Sequence, residues 1–229
     1  MNMRNQAARK ARLRAPGPRL REQAYDRFTE QLFEKSIVPG QFVSQRELVA
    51  LTGLPLGAIR ELIPRLEADG LITVIPQRGM QIATVDLNLI RNAFQLRLFL
   101  EREAAALFAV NASDEQIGEM RSAHDAIIAE AENAVTANLR DRAQAVDWNF
   151  HDTLIDALGN AIISDIYRVN SIKIRLIRQA ETRLLKELII PVMQEHLKII
   201  AAFEARDPAK ASVTIVRHIT NARNRATEI

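Results

Sequence analysis

The chain has 229 residues, 48% hydrophobic and 26% charged, with a formal net charge of +3; this composition supports packed cores in two modest domains and excludes disorder over most of the length. It contains no cysteine, which excludes disulfides, thiolate metal sites and cysteine nucleophiles, so any metal must be held by nitrogen and oxygen. No run of about eighteen apolar residues is present to span a membrane, and the opening residues MNMRNQAARKARLR lack the apolar segment of a signal peptide, so the protein is expected in the cytoplasm.

Residues 1–21 hold Arg4, Arg9, Lys10, Arg12, Arg14, Arg19 and Arg21 without one acid. That run predicts a flexible basic arm over 1–18 that neutralises DNA phosphates, the alternative being a solvated tail with no partner. A first helix is predicted over 19–36, with Ala24, Phe28, Leu32 and Phe33 on its apolar face and Pro39 and Gly40 behind it. Residues 44–83 carry the strongest signal. Ser44 followed by Glu47 forms a capping box, after which Leu48 and Leu51 face inward. Thr52 and Gly53 break the helix, and Pro55 restarts it at or near the first helical position. Ile59, Leu62, Ile63 and Leu66 make a buried stripe, leaving Arg60 and Arg65 outside. After Asp69 and Gly70 a strand is predicted over 71–75, a tip over 76–79 and a return strand over 80–85. Two short helices and a two-stranded wing are how a small domain offers a basic helix to a DNA groove.

From residue 86 the texture is helical to the end, so the domain boundary is placed over 84–86, giving a DNA-binding unit over 19–85 and an all-α unit over 86–229. Helices are predicted over 86–110, 113–138, 139–158, 162–183, 184–205 and 208–227, with Ser113 and Gln116 as a second capping box. Asp147 and His151 are i and i+4, hence one turn apart on one face. His196 and His218 each sit among apolar residues at helical spacing. Three imidazoles and a carboxylate on inward faces of a bundle suit Zn²⁺, Ni²⁺, Mn²⁺ or Fe²⁺ and leave positions open for water or a ligand carboxylate. The alternative is that each histidine is a core residue satisfied by a carbonyl or an acid. His124 has no such partners in the pattern and is predicted on the helix surface, and Trp148 is assigned to packing.

These residues resemble the GntR family of bacterial transcription regulators, in its FadR-like branch with a C-terminal effector domain called FCD. The resemblance covers residues 19–226. It rests on PGQFVSQRELVALTGL, IRELIPRLEADGLI and RGMQIA in the first part, and on RLFLEREAAALFA, DWNFHDTLIDALGN, EHLKIIAAFEARDPAKA and RHI in the second. It implies a mainly α protein: a winged helix-turn-helix followed by a helical bundle that dimerises and binds a divalent metal, zinc foremost, through Asp147, His151, His196 and His218. It further implies that a small organic acid binds at or beside this metal, with Arg97 as the carboxylate partner, or else in an ion pair with Glu101. Arg46, Arg60, Arg78 and Gly79 match positions that contact DNA in the family, and Gln45 and Arg65 are added to them. The chain departs from the family at Pro55, Leu56, Gly57 and Ala58, where relatives carry a Ser-Arg-Thr-Pro turn, and at Pro64 inside the recognition helix, where a bend is expected.

The resulting expectation is a homodimeric regulator, a repressor by the commoner outcome, that binds a double-stranded operator and answers a small carboxylate. Two competitors remain on the sequence: a hydrolase that activates water on the metal, with Glu195 beside His196 as the one acid at hand, and an interaction module whose metal only stabilises the bundle.

Overall fold

A computed structural model describes residues 18–181 and 186–227. Residues 1–17 of the arm expected over 1–18 and the expected helix break at Arg183 and Leu184 lie outside the described residues. The chain divides into two compact units between Val85 and Asp86.

In the first unit α1 spans Pro18–Phe33 and buries Ala24, Phe28 and Leu32. Ser44 opens α2, Gln45–Thr52. Its Oγ accepts from the Glu47 N–H at 3.2 Å while its own N–H donates to the Glu47 carboxylate at 2.6 Å, so two helix-end donors are satisfied reciprocally. Gly53, at φ 68°, ends this helix. Pro55 is the residue before α3, Leu56–Ala68, and the helix runs on through Pro64. Ala58, Ile59, Leu62 and Leu66 are its buried face, whereas Leu51 and Ile63, expected inside, are only half-buried. Ile63 lies beside that stripe on α3, and Leu51 is near the C-terminal end of α2.

The sheet differs from the expected two-stranded wing. A two-residue strand β1, Phe42–Val43, joins β2, Ile72–Ile75, and β3, Gly79–Ile82, in the antiparallel order β1-β3-β2. Val43 stands opposite Met80, and Ile75 opposite Gly79. Two residues are too few to show an alternation in sequence, so the third strand is visible only through its partner. The wing tip is closed by the Arg78 N–H donating to Ile75 O at 3.1 Å. Pro76 is the second residue of this turn and Gln77, at φ 62°, its third, the positive φ of a type II turn.

The second unit contains α4, Leu87–Asn111; α5, Asp114–Asn133; α6, Ala137–Asp156; α7, Ala161–Glu181; a short 3₁₀ turn, Lys186–Leu188; α8, Ile189–Glu204; and α9, Pro208–Thr227. The Ser113 capping box forms as expected. Helix α5 stops five residues earlier than the periodicity suggested, because Thr136 caps α6 by accepting from the Leu139 N–H. Helix α9 packs along α4, and α5 along α8. Phe108, Phe150 and Phe203 form the centre of this core, with the Phe108 and Phe203 rings 5.0 Å apart, and the histidines lie against it.

Candidate metal centre and DNA-binding surface

His151 from α6, His196 from α8 and His218 from α9 are all buried, and their ring nitrogens come within 4.8 Å of one another. Asp147, one turn before His151, stands at the edge of this cluster, its Oδ1 3.7 Å from His196 Nε2. The four residues expected to act together therefore lie near one another, the three imidazoles grouped and the carboxylate beside them.

Each ring is oriented by a further partner. His151 Nδ1 donates to Glu101 Oε2 at 2.7 Å and His218 Nδ1 to Glu195 Oε2 at 2.7 Å. His196 Nδ1 meets Nε2 of His124 at 2.9 Å, and Phe150 stacks on the His196 ring with centroids 4.2 Å apart. The expectation that His124 lies on the surface is corrected: it is 1% exposed. Its partners lie on α8 and within its own helix, which no local spacing reveals.

Glu101 is the other residue that sequence reasoning left in a minor role. It is fully buried on α4 and accepts from Arg97, from His151 and from the Tyr167 hydroxyl at 2.7 Å. Burial pushes its carboxyl up, but Arg97 and His151 outweigh this and hold it at about 2. Glu195 is likewise held at about 2, burial being overcome by His218, Arg225 and Asn221. Asp147 is ion-paired to Arg178, and against the pull of burial this guanidinium keeps its carboxyl well below the usual range. Burial pushes the His218 imidazole down to about 4 and lowers His151 and His196 as well. All three rings are thus neutral near pH 7.

The residues fit a divalent cation. With Nδ1–H spent on Glu101 and Glu195, His151 and His218 present lone pairs at Nε2. Among the described residues His151 Nε2 is buried with no hydrogen-bond partner, while the Nε2 atoms of His196 and His218 face each other at 3.2 Å. A buried, unsatisfied acceptor costs about 1–3 kcal/mol, and a cation would satisfy several at once. Imidazoles whose second nitrogen donates to a carboxylate are the usual ligands of such metals.

A small cleft beside the cluster is lined by Arg97, Asp147, His151, Tyr167, Arg175 and Arg178. Arg97 is engaged by Glu101 and nearly inaccessible; Arg178 is the more open, with 19% of its side chain exposed. Arg175 lies over the Trp148 ring at 4.0 Å.

On the first unit, Arg46 and Arg78 are exposed, Arg78 in the wing turn. Arg60 Nε donates to Gln45 Oε1 at 3.2 Å, tying the start of α2 to α3. Arg65 turns toward α1, its guanidinium 4.0 Å over the Tyr25 ring and 3.9 Å from Asp69. Gly79, at φ 93°, is needed by the sheet itself, because a Cβ there would meet Val43 O at 2.9 Å.

A winged helix-turn-helix joined to a helical unit with a buried, ligand-like histidine cluster defines a class, DNA-binding regulators with a sensory domain. Residues 20–82 match the bacterial regulatory proteins of the gntR family and residues 92–221 match the FCD domain. The chain belongs to the GntR family of bacterial transcription regulators, in the group that carries an FCD effector-binding domain. It is 24% identical over 183 residues to the Nta operon transcriptional regulator of Aminobacter aminovorans, covering 79% of this chain and 82% of that one. Over 202 residues it is 26% identical to the HTH-type transcriptional repressor NanR of Salmonella newport, covering 79% and 75%. A third relative, the HTH-type transcriptional repressor GlaR of Escherichia coli K12, is 24% identical over 197 residues, covering 79% and 84%. Two solved structures share the fold: a putative transcriptional regulator GntR from Rhodococcus sp. RHA1, with a TM-score of 0.73 at 16% identity over 92% of this chain and 98% of that one, and E. coli McbR/YncC, with 0.71 at 15% over 88% and 94%. Among the described residues no helix is long and apolar enough to cross a membrane.

Proposed function

We propose that the protein is a homodimeric cytoplasmic repressor whose hold on its operator is released by a small carboxylate bound at or beside a divalent metal. The observation that carries this reading is the convergence of three neutral, oriented histidines next to an arginine-lined cleft, in a chain that also carries a winged helix-turn-helix. His151, His196 and His218 would hold the metal with Asp147; zinc suits three nitrogens and an oxygen best, and nickel, manganese or iron would also fit. Bound there, the cation supplies a Lewis-acidic anchor for one carboxylate oxygen. Arg178, more open than Arg97, meets the incoming acid, and Arg97, paired with Glu101, lines the same cleft. Relatives named as repressors support the direction of control.

In the DNA-binding unit Arg46 and Arg60 face the major groove, with Gln45 held by Arg60. Arg78 in the wing reaches toward the minor groove, and the basic arm adds phosphate contacts. Arg65 supports the helix from the side of Tyr25. A ligand shifts control only by binding one arrangement of the dimer more tightly than another.

The test has two parts: metal content of the purified protein, and selection of bound fragments from genomic DNA. About one divalent ion per chain, with selected fragments sharing a two-fold repeated sequence, is the expected result. A metal-free protein unaffected by added zinc, or fragments with no shared sequence, would overturn the proposal.

A further inference from the structure

We infer that His124 is a positioning residue of the metal centre: through one hydrogen bond it decides which nitrogen of His196 is free to bind a cation. The inference rests on the metal-binding reading above and adds a fourth histidine to it.

His124 Nδ1 lies 2.6 Å from the carbonyl oxygen of Met120. A carbonyl only accepts, so Nδ1 must carry the hydrogen. On a neutral ring this leaves a lone pair at Nε2, which sits 2.9 Å from His196 Nδ1. For that contact to be a hydrogen bond, His196 must supply the hydrogen from Nδ1. Its Nε2 is therefore a lone pair, and this is the atom that faces His218 Nε2 at 3.2 Å and Asp147 Oδ1 at 3.7 Å. The backbone of α5 thus sets the tautomer of a ring on α8 by way of His124.

The other two rings are set by carboxylates, Glu101 for His151 and Glu195 for His218. Among the described residues His196 has no acid at Nδ1, and His124 does for it what the carboxylates do for its neighbours. Without His124, the fully buried His196 Nδ1 would lose its acceptor. The ring would then place its hydrogen on Nε2, where Asp147 Oδ1 and His218 Nε2 both accept. One of the three converging lone pairs would be lost, and the carboxylate would be turned to a hydrogen bond instead of the metal. Phe150 keeps the ring plane fixed in either tautomer, so the change is one of protonation and not of packing.

The test compares full-length wild type with His124→Phe, which fills the space without an acceptor, and His124→Gln, whose amide oxygen stands where Nε2 stood. Zn²⁺ affinity is read against a competing chelator, and Co²⁺ absorption reports the ligand field. His124→Phe should weaken Zn²⁺ binding about 10–100-fold and change the Co²⁺ spectrum, and His124→Gln should recover most of both. In metal-free protein, ¹⁵N imidazole shifts should show His196 protonated at Nδ1 in wild type and at Nε2 in His124→Phe. Should His124→Phe fail to fold, the wild-type tautomer decides: His196 protonated at Nε2 overturns the inference. Wild-type affinity in a folded His124→Phe would overturn it while leaving the metal reading intact. Zn²⁺ binding in His218→Ala as tight as in wild type would sink the metal reading and this inference with it.

Discussion

Glu101 on α4 holds His151 on α6 at 2.7 Å, and the same carboxylate neutralises Arg97 one turn before it. One buried acid thus orients a candidate metal ligand and compensates the least accessible guanidinium at the site. Glu101→Gln keeps the size but removes the charge, leaving the buried Arg97 without its hydrogen-bonded carboxylate. Breaking such a pair costs about 3–5 kcal/mol, which should appear in urea denaturation of the metal-free protein. The amide also cannot both accept from Arg97 and accept from His151 as the carboxylate does, so metal affinity should fall as well. An unchanged urea midpoint would mean that the carboxylate does not carry this compensation.

Acid should weaken the metal-free C-terminal unit from above pH 6 downward. In the folded state the His218 imidazole is pushed down to about 4 by burial, and His151 and His196 are lowered too, whereas in the unfolded chain histidine titrates near 6.5. The unfolded state therefore binds more protons below that value, and stability falls with pH. Glu101 and Glu195, held at about 2, add a second loss as pH drops below their unfolded value near 4.3. Thermal midpoints of chelator-treated protein between pH 8 and 5 should be flat at first and then decline. A midpoint that rose on acidification would reverse the assigned protonation states.

At the wing, neighbouring residues should separate fold from contact. Gly79→Ala puts a Cβ against Val43 O and forces an alanine to φ 93°, which strains the chain by about 1–3 kcal/mol and lifts β1 from β3. Lower stability of the DNA-binding unit should follow. Arg78→Ala, exposed in the adjacent turn, should leave stability unchanged and weaken DNA binding. Equal melting curves for wild type and Gly79→Ala would show that the sheet accommodates the methyl group.

In the recognition helix, Arg60→Ala should cost about 1–3 kcal/mol of discrimination between operator and competitor DNA if the side chain reads a base edge. Removing residues 1–17 should instead flatten the dependence of binding on salt, because the arm has only phosphates to meet. Competition binding at several salt concentrations distinguishes the two. A loss of sequence preference on arm deletion, with none for Arg60→Ala, would exchange their roles.

Much of this molecule was readable from the chain because its signals are local. Both capping boxes, at Ser44 and Ser113, formed as their three-residue spacing indicated. The four-residue step from Asp147 to His151 placed both on one buried face, and α9 has the bounds that its periodicity gave. What could not be read depends on distant partners. His124 is buried because it meets a residue 72 positions away, and Glu101 matters because α6 and α7 bring His151 and Tyr167 to it. Strand β1 exists because β3 pairs with it. Gly79 matches a position that meets DNA in the family, yet the sheet gives it a reason of its own, the closeness of Val43 O.

The central claim is that the histidine cluster converts acid binding into operator release. The most direct measurement is fluorescence anisotropy of a genome-selected operator with zinc-loaded protein, titrated with small carboxylates and repeated with His218→Ala. Release by one acid at concentrations that leave His218→Ala bound is the predicted result; release that is identical in the variant and in chelator-treated wild type would contradict it.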